Sequence, residues 1–403
     1  ERGAEPAAGP WVEADYIYPF QAHACMEPMN CIAHFQGGRA DVWAGCQNPG
    51  SWRDQAAAVF GLAPDQVVIH PQFSGGGFGR RSAADVAIEA LRISQAAGNR
   101  PVKVVWTRED DLRHDQFHPY AHSRLRARLA PNGQLLSFQH DEARSYFGNF
   151  RNEIPWFGYD SAHLRYRFAN AHSASPLQGG AWRAVVANHW AFAQECFIDE
   201  LAHETGRDPV AFRLDLLASG ADQPAGERYK VSQRRLRGVI ELAARAAGWD
   251  GTARAPGRGR GFVAYPYMHG DSYCALVLDV TVAGARLTIE RIVVAVDCGL
   301  VINPSGARQQ IEGGILWSLS AALHGGVVLA NGAVRNSNFS DTPVIRMHEA
   351  PRRLEIHFVE RGADAPTGLG ELSPPVLAPA LCNAIHAATG KRIRQLPIDL
   401  TSR

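Results

Sequence analysis

Val67-Val68-Ile69-His70 leads into Ser74-Gly75-Gly76-Gly77-Phe78-Gly79-Arg80-Arg81-Ser82, and Ala83 to Ala97 follows. The β-branched run reads as a buried strand and the alanine-rich run as a helix. Ser82 with Asp85 three residues on reads as a capping box at the helix start. The stretch therefore spells strand, glycine loop, helix. Four glycines within five residues allow positive φ and a close approach of backbone to a ligand. Free N–H groups at a helix start, with Arg80 and Arg81 beside them, favour an anion such as phosphate. The plain alternative is a tight strand-to-helix turn. No Gly-Lys-Ser/Thr ending is present, so a P-loop is excluded. GGGFG is not G-x-G-x-x-G, so a dinucleotide site of Rossmann type has little support. A different phosphate-bearing cofactor is expected.

The remainder of the chain sets the frame. Its 403 residues suffice for two or three domains, and 46% hydrophobic content supports a large core. The net charge is +1, and no run of Lys or Arg marks a nucleic-acid surface. No apolar run is long enough to span a membrane. Residues 1–20 do not read as a secretory signal. Glu1-Arg2-Gly3-Ala4-Glu5-Pro6 lacks Met and reads like a linker cut mid-chain, so a processed, truncated or split protein is expected. Cys25, Cys31, Cys46, Cys196, Cys274, Cys298 and Cys382 include no Cys-x-x-Cys pair. They read as small core residues rather than as metal ligands or a disulfide framework.

Taken in order, Gln21 to Asn30 reads as a half-buried strand, or as a segment whose Gln21, His23 and Glu27 line a site. Ala40 to Ala44 reads as a strand, and Pro49 to Phe60 as a helix capped by Gly61. Val102 to Trp106 is a further strand. His114, His118 and His122 recur every fourth residue, but Pro119 interrupts a helix there, so a metal site is not expected. Leu125–Leu129 and Leu135–His140 read as a hairpin across Pro131-Asn132-Gly133. Arg183 lies just before a helix over Asn188–His203, where a cation is unfavourable unless an anion or buried acid meets it. Asp208-Pro209 starts a helix. The Gly-, Pro- and Arg-rich stretches at 219–233 and 250–260 place a domain boundary near 225, giving units 10–225 and 226–403. Cys274–Val282 and Arg286–Val296 read as paired strands. A long helix follows from Pro304 to about Leu323, its Gly313-Gly314 suited to close packing. Leu354–Val359 is a strand, and a last helix runs Pro379–Thr389. Glu371, in Gly368-Leu369-Gly370-Glu371-Leu372-Ser373-Pro374-Pro375, is a carboxylate in a rigid loop and a candidate general base. The fold class is α+β, mixed α/β. A nicotinamide-dependent reading lacks its strand-end acid, since Glu89 lies mid-helix and position 101 is Pro.

Several segments, in order, resemble one family. They are His23-Ala24-Cys25-Met26-Glu27-Pro28-Met29, Gly75 to Arg81, Gly180-Ala181-Trp182-Arg183, Asp297-Cys298-Gly299 with Asn303-Pro304, Gly368 to Glu371, and Asn383 to Arg394. Together they resemble the molybdenum-binding large subunit of the xanthine dehydrogenase/aldehyde oxidase family, of the isoquinoline 1-oxidoreductase β-subunit type. The resemblance implies molybdopterin-binding domains and a molybdopterin cofactor in its cytosine dinucleotide form. It implies hydroxylation of an aldehyde or N-heteroaromatic carbon with oxygen from water. Glu371 is implied as the base. Gln21, Gly76, Gly77, Phe78, Gly79, Arg80 and Arg183 are implied to surround the cofactor. No protein side chain is implied as a metal ligand, because the pterin dithiolene holds the metal. Ser82 stands where purine-oxidising members carry an acid, which argues against a purine substrate. The substrate pocket is expected to use loops such as Tyr267-Met268-His269-Gly270. The family's Met-Gly-Gln-Gly loop is absent: none of Met26, Met29, Met268 and Met347 begins one. A second polypeptide carrying the missing N-terminal pterin-binding half is therefore an expected partner. So are a small [2Fe-2S] subunit and a cytochrome c electron acceptor, in a periplasmic rather than cytoplasmic setting. The competing reading is a non-catalytic binding or assembly module that keeps the fold without the cofactor.

Overall fold

A computed structural model describes residues 1–6, 9–145, 155–171, 177–225, 229–267, 270–362 and 364–401. The glycine stretch belongs to a small α/β lobe. Its sheet has the order β4-β3-β2-β5, with β2 (Asn30–Gln36), β3 (Arg39–Gly45), β4 (Val67–Gln72) and β5 (Val102–Val105). β3 and β4 run parallel and the other neighbours antiparallel. Two helices, α1 (Pro49–Phe60) and α2 (Asp85–Ala96), supply Trp52, Ala56, Val86, Ala87, Ala90 and Leu91 to the lobe's own core. The Asn48 side chain caps α1, accepting from Ser51 N, and Gly61 ends it in the left-handed conformation. A short helix α3 (Arg108–Arg113) follows β5, opened by a capping box between Thr107 and Asp110.

The rest of the chain builds one larger core, and residues on both sides of position 225 share it. One sheet has the order β1-β6-β7-β8, from β1 (Val12–Tyr18), β6 (Ala121–Leu129), β7 (Leu135–Arg144) and β8 (His163–Asn170). The β6–β7 hairpin is the one its Pro-Asn-Gly turn predicts. Helices α4 (Ala187–Glu204), α5 (Pro209–Asp215) and α6 (Gln233–Ala247) come next, with a small β9–β10 ribbon (Gln223–Ala225, Tyr229–Val231) before α6. A second sheet has the order β11-β12-β13-β16, from β11 (Arg258–Tyr267), β12 (Ser272–Ala283), β13 (Arg286–Asp297) and β16 (Leu354–Phe358). The run Tyr273 to Leu278 in β12 is buried on both faces, because helices cover the sheet on either side. α7 (Pro304–His324), a minor β14–β15 ribbon (Leu329–Ala330, Ala333–Val334) and α8 (Pro374–Thr389) complete the molecule.

α4 is buried on every side from Ala187 to Ala202, although that stretch carries three acids. Each acid has a cationic partner: Glu195 has Arg213, Asp199 has Arg392 and Glu200 has Arg394. The basic C-terminal segment is thus a strap that neutralises the central helix.

Three expectations change. The helix after the glycine loop begins at Asp85 rather than Ala83, and Ala84 rather than Ser82 sits at its N-cap. Arg80–Ser82 instead form a tight 3-10 turn, with Arg80 N donating to Gly77 O and Ser82 N to Gly79 O. Residues 22–29 are irregular, and the strand begins only at Asn30. α8 starts at Pro374, five residues early, because prolines at the first helical positions need no N–H acceptor.

Candidate functional site

The glycine loop folds back on its own scaffold. Glu27 latches it: Oε2 accepts from Gly75 N at 2.5 Å and from Arg81 Nη2 at 3.0 Å, while Oε1 accepts from Asn30 Nδ2. Gly79 N donates to Gln47 Oε1 at 3.0 Å. The amides of Gly75, Gly79, Arg80 and Ser82 are therefore committed within the chain, which corrects the simple picture of a phosphate cradle. Both arginines are buried. Arg80 pairs with Asp85 at 2.8 Å and with Asp115 at 3.0 Å, and Arg81 also donates to Gly76 O. Burial alone would raise Asp115, yet His23 and Arg80 hold its carboxyl below the ordinary value. Arg80 thus serves the loop's foundation, not an anion beyond it.

What the loop presents outward is Phe78, at φ 55°, a left-handed conformation unusual for a side-chain-bearing residue. Its ring stacks on Trp317 of α7 at 4.2 Å, and Trp317 stacks on Trp182 at 5.7 Å. Gly79 (φ 109°) lies so close to the Ala181 carbonyl that a Cβ there would stand 1.2 Å from the oxygen. His23 bridges the same junction, Nδ1 on Asp115 and Nε2 on Ala181 O at 3.2 Å. The two glycine-flanked segments singled out in the sequence are thus joined back to back.

Beside the stack lies a cavity of about 50 Å³, lined among others by Gln21, Trp182, Trp317 and His324. Gln21 is 2% exposed; its Oε1 takes the Tyr18 hydroxyl at 3.5 Å, and its Nε2 has no partner among the described residues. Trp317 Nε1 is likewise buried and unpartnered among them. Unpaired buried donors are costly and call for an acceptor from outside the chain.

The catalytic candidate sits on the next wall. Arg183 Nε donates to Gly370 O at 2.8 Å, and Nη2 to Gln310 O and Oε1 at 3.0 Å each. Burial draws this guanidinium below its ordinary value, while Glu371 pushes the other way. Ala184 (φ 78°) and Val185 (φ 45°) follow, two successive non-glycine residues with positive φ. That strained turn aims Ala184 N at Glu371 Oε1, 3.2 Å away. Tyr267 Oη donates to Glu371 Oε2. Among the described residues Arg183 meets no buried acid directly: it holds the Gly370 carbonyl beside the half-buried Glu371. Gly314 of α7 packs on Ser373, two residues past Glu371, as its glycine pair predicts.

Gln21 thus shares a cavity with Trp182 and Trp317, Phe78 stacks on Trp317, and Arg183, next in the chain to Trp182, holds the Glu371 loop, whereas Arg80 is paired inside the lobe. Trp317 is the residue the sequence does not single out, while Glu27, read as lining a site, latches the loop instead, and Tyr267, read as part of a pocket loop, bonds Glu371. Met268 and His269 of the expected pocket loop lie outside the described residues. His118 is buried against Pro119 O and Val185 O, and His122 pairs with Asp15 on the strand surface, so their spacing reflects sheet and loop packing. Among the described residues one trio of metal-ligating side chains comes together, Asp199, His203 and His386, and Arg392 occupies Asp199 Oδ2 at 2.6 Å.

Two models of a molybdopterin cofactor-binding domain match the chain, over residues 2–216 and 220–351. The chain is 31% identical to the beta subunit of isoquinoline 1-oxidoreductase from Brevundimonas diminuta, over 96% of this chain and 49% of the relative. It is 30% identical to the B subunit of nicotinate dehydrogenase from Pseudomonas putida, over 95% of this chain and 34% of that protein. It spans about half or less of their length. The fold superposes on quinoline 2-oxidoreductase of Pseudomonas putida 86 with a TM-score of 0.80 at 13% identity, covering 98% of this chain and 76% of that one. By these matches the chain belongs to the molybdopterin cofactor-binding family, of the xanthine dehydrogenase/aldehyde oxidase type.

Proposed function

We propose that this chain is the catalytic part of a molybdenum hydroxylase that oxidises an aldehyde or an N-heteroaromatic ring with oxygen from water, and that Glu371 is its base. The observation that carries this reading is the placement of Glu371. Its half-buried carboxylate is held by two donors, beside a strained turn and an aromatic wall. Such a carboxylate is suited to taking a proton at Oε1 or Oε2 from a hydroxyl presented to it. The unpaired Nε2 of Gln21 fits an oxygen acceptor at the metal end of a molybdopterin group, and the backbone around Phe78 would flank the same end. When bound, the cofactor, proposed in its cytosine dinucleotide form, supplies the two-electron oxidation. Arg183 orients the Gly370 carbonyl and so the base. Phe78, Trp317 and Trp182 exclude water from one side.

The phosphate end of the cofactor finds less here, because Arg80 and Arg81 are already paired with carboxylates. This supports a partner chain carrying the remaining pterin-binding loops. The apolar side chains of Phe73 beside the loop, Met26 beside the Glu27 latch and Leu316 beside Trp317 are exposed, as a docking rim for that partner requires. A [2Fe-2S] subunit, passing electrons to a cytochrome c, completes the proposed assembly.

The test is metal analysis and dye-reduction assay of the native protein purified with its partners, before and after Glu371→Gln. The variant is expected to keep its molybdenum and to lose turnover by about 10²–10⁴-fold. Near-normal turnover would remove Glu371 from the role. An assembly that holds no molybdenum would favour a binding or assembly module instead.

A further inference from the structure

We infer that Tyr267 is a positioning residue for Glu371, fixing which way its carboxylate faces; this rests on the reading of Glu371 as base. A glutamate carboxyl rotates in a broad, roughly two-fold well, so without donors its oxygens are poorly aimed. Glu371 also stands in no helix or strand. Its loop is held from three sides by other parts of the molecule. Thr367 N donates to Cys298 O, Ser272 Oγ donates to Gly368 O at 2.5 Å, and Arg183 holds Gly370 O. The fourth hold is Tyr267 on the carboxylate itself.

Tyr267 is well placed for this. It is the last residue of β11 and pairs in register with Ser272, the first of β12. The two cross-strand partners therefore act as one clamp on residues 367–371, built on sheet rather than loop. The Tyr267 ring is buried and meets Trp156 edge-on at 5.8 Å, which fixes the direction of its hydroxyl. With Ala184 N on Oε1 and Tyr267 on Oε2, each carboxylate oxygen has one donor among the described residues and keeps a lone pair for a proton. Sites in which the acting group is locked by a supporting hydrogen bond lose rate steeply when that bond is removed.

The experiment compares Tyr267→Phe with wild type in the molybdenum-loaded enzyme assembled with its partners, and adds an unfolding measurement on this chain. Phenylalanine keeps the ring packing and removes the donor. Molybdenum content is expected to stay at the wild-type level. kcat per molybdenum is expected to fall about ten- to a hundredfold, with KM within about threefold. In urea unfolding, the midpoint shift caused by Tyr267→Phe is expected to vanish in a Glu371→Ala background, because the two residues share one interaction. Unchanged kcat per molybdenum overturns the inference, and so does an equal midpoint shift in both backgrounds. If Glu371→Gln abolishes turnover while Tyr267→Phe does not, the positioning role alone fails. If Glu371→Gln is active, the reading of the base fails first.

Discussion

Gly79→Ala tests the joint on which the site depends. The substitution adds one methyl group where φ is 109° and where the new Cβ would stand 1.2 Å from Ala181 O. An ordinary contact begins near 3.4 Å, so the two backbones must part by about 2 Å. The two clashing atoms, Ala181 O and C, are backbone and cannot swing aside. A side chain held at positive φ costs about 1–3 kcal/mol, and overpacking a tight contact costs about as much again. Parting the segments also loosens the His23–Ala181 bond and the Phe78–Trp317 stack. A loss of about 3–5 kcal/mol follows. Gly77→Ala is the internal control. Its Cβ would meet Gln47 Oε1 at 2.5 Å, the far end of a flexible side chain, and the main cost is the bond from Gly79 N to that oxygen, about 1 kcal/mol. Urea unfolding followed by tryptophan fluorescence suits the comparison, since Trp182 and Trp317 lie at the joint. Gly79→Ala should unfold at clearly lower urea than Gly77→Ala. Equal midpoints, or a wild-type midpoint for Gly79→Ala, would show that the two segments are not packed backbone to backbone.

Two further outcomes follow from the buried charges. Burial, with His189 nearby, lowers the His118 pKa to about 3 against the pull of the Val185 and Pro119 carbonyls on its two nitrogens, so the folded chain favours the neutral ring while the unfolded chain protonates near 6.5. The unfolded state then binds more protons between those values, and stability from His118 falls as pH falls, by about 2 kcal/mol from pH 7 to pH 5. His118→Phe should flatten that part of the stability–pH curve in denaturant titrations, and an unchanged slope would contradict the assignment. Asp115→Asn leaves the buried Arg80 with Asp85 alone and removes the charge beneath His23; it should cost about 3 kcal/mol in the same assay, and a neutral result would show that this ion pair does not anchor the loop.

Local chemistry made much of this fold readable. The Asn48 cap and Gly61 stop of α1, the Pro-Asn-Gly hairpin and the Asp208 cap of α5 are short-range signals, and each appears where its residues place it. β11 was less legible: Gly259, Gly261 and Pro266 are strand breakers in isolation, and only packing against α8 and pairing with β12 make them a strand. The glycine loop shows the same limit. Its residues promise free amides and free arginines, but Glu27, Gln47 and Asp115, drawn from distant segments, consume them. Trp317 carries no local signal, and Tyr267 is marked only as part of a pocket loop, because the contacts that matter arise from what faces them across the fold.

This division has a chemical consequence. Near the proposed metal end the chain leaves donors unpaired, at Gln21 Nε2 and Trp317 Nε1 among the described residues, while at the loop that looks built for phosphate both arginines are already ion-paired with carboxylates and only Arg81 Nη1 lacks a partner among those residues. Free energy is lowered by bringing an oxygen acceptor to the first place; a phosphate arriving at the second would have to displace an existing ion pair. The same glycine stretch that suggests an anion cradle is therefore better understood as a rigid stem. It holds Phe78 against Trp317, and in the proposed function charge neutralisation of the cofactor's tail falls to the partner chain.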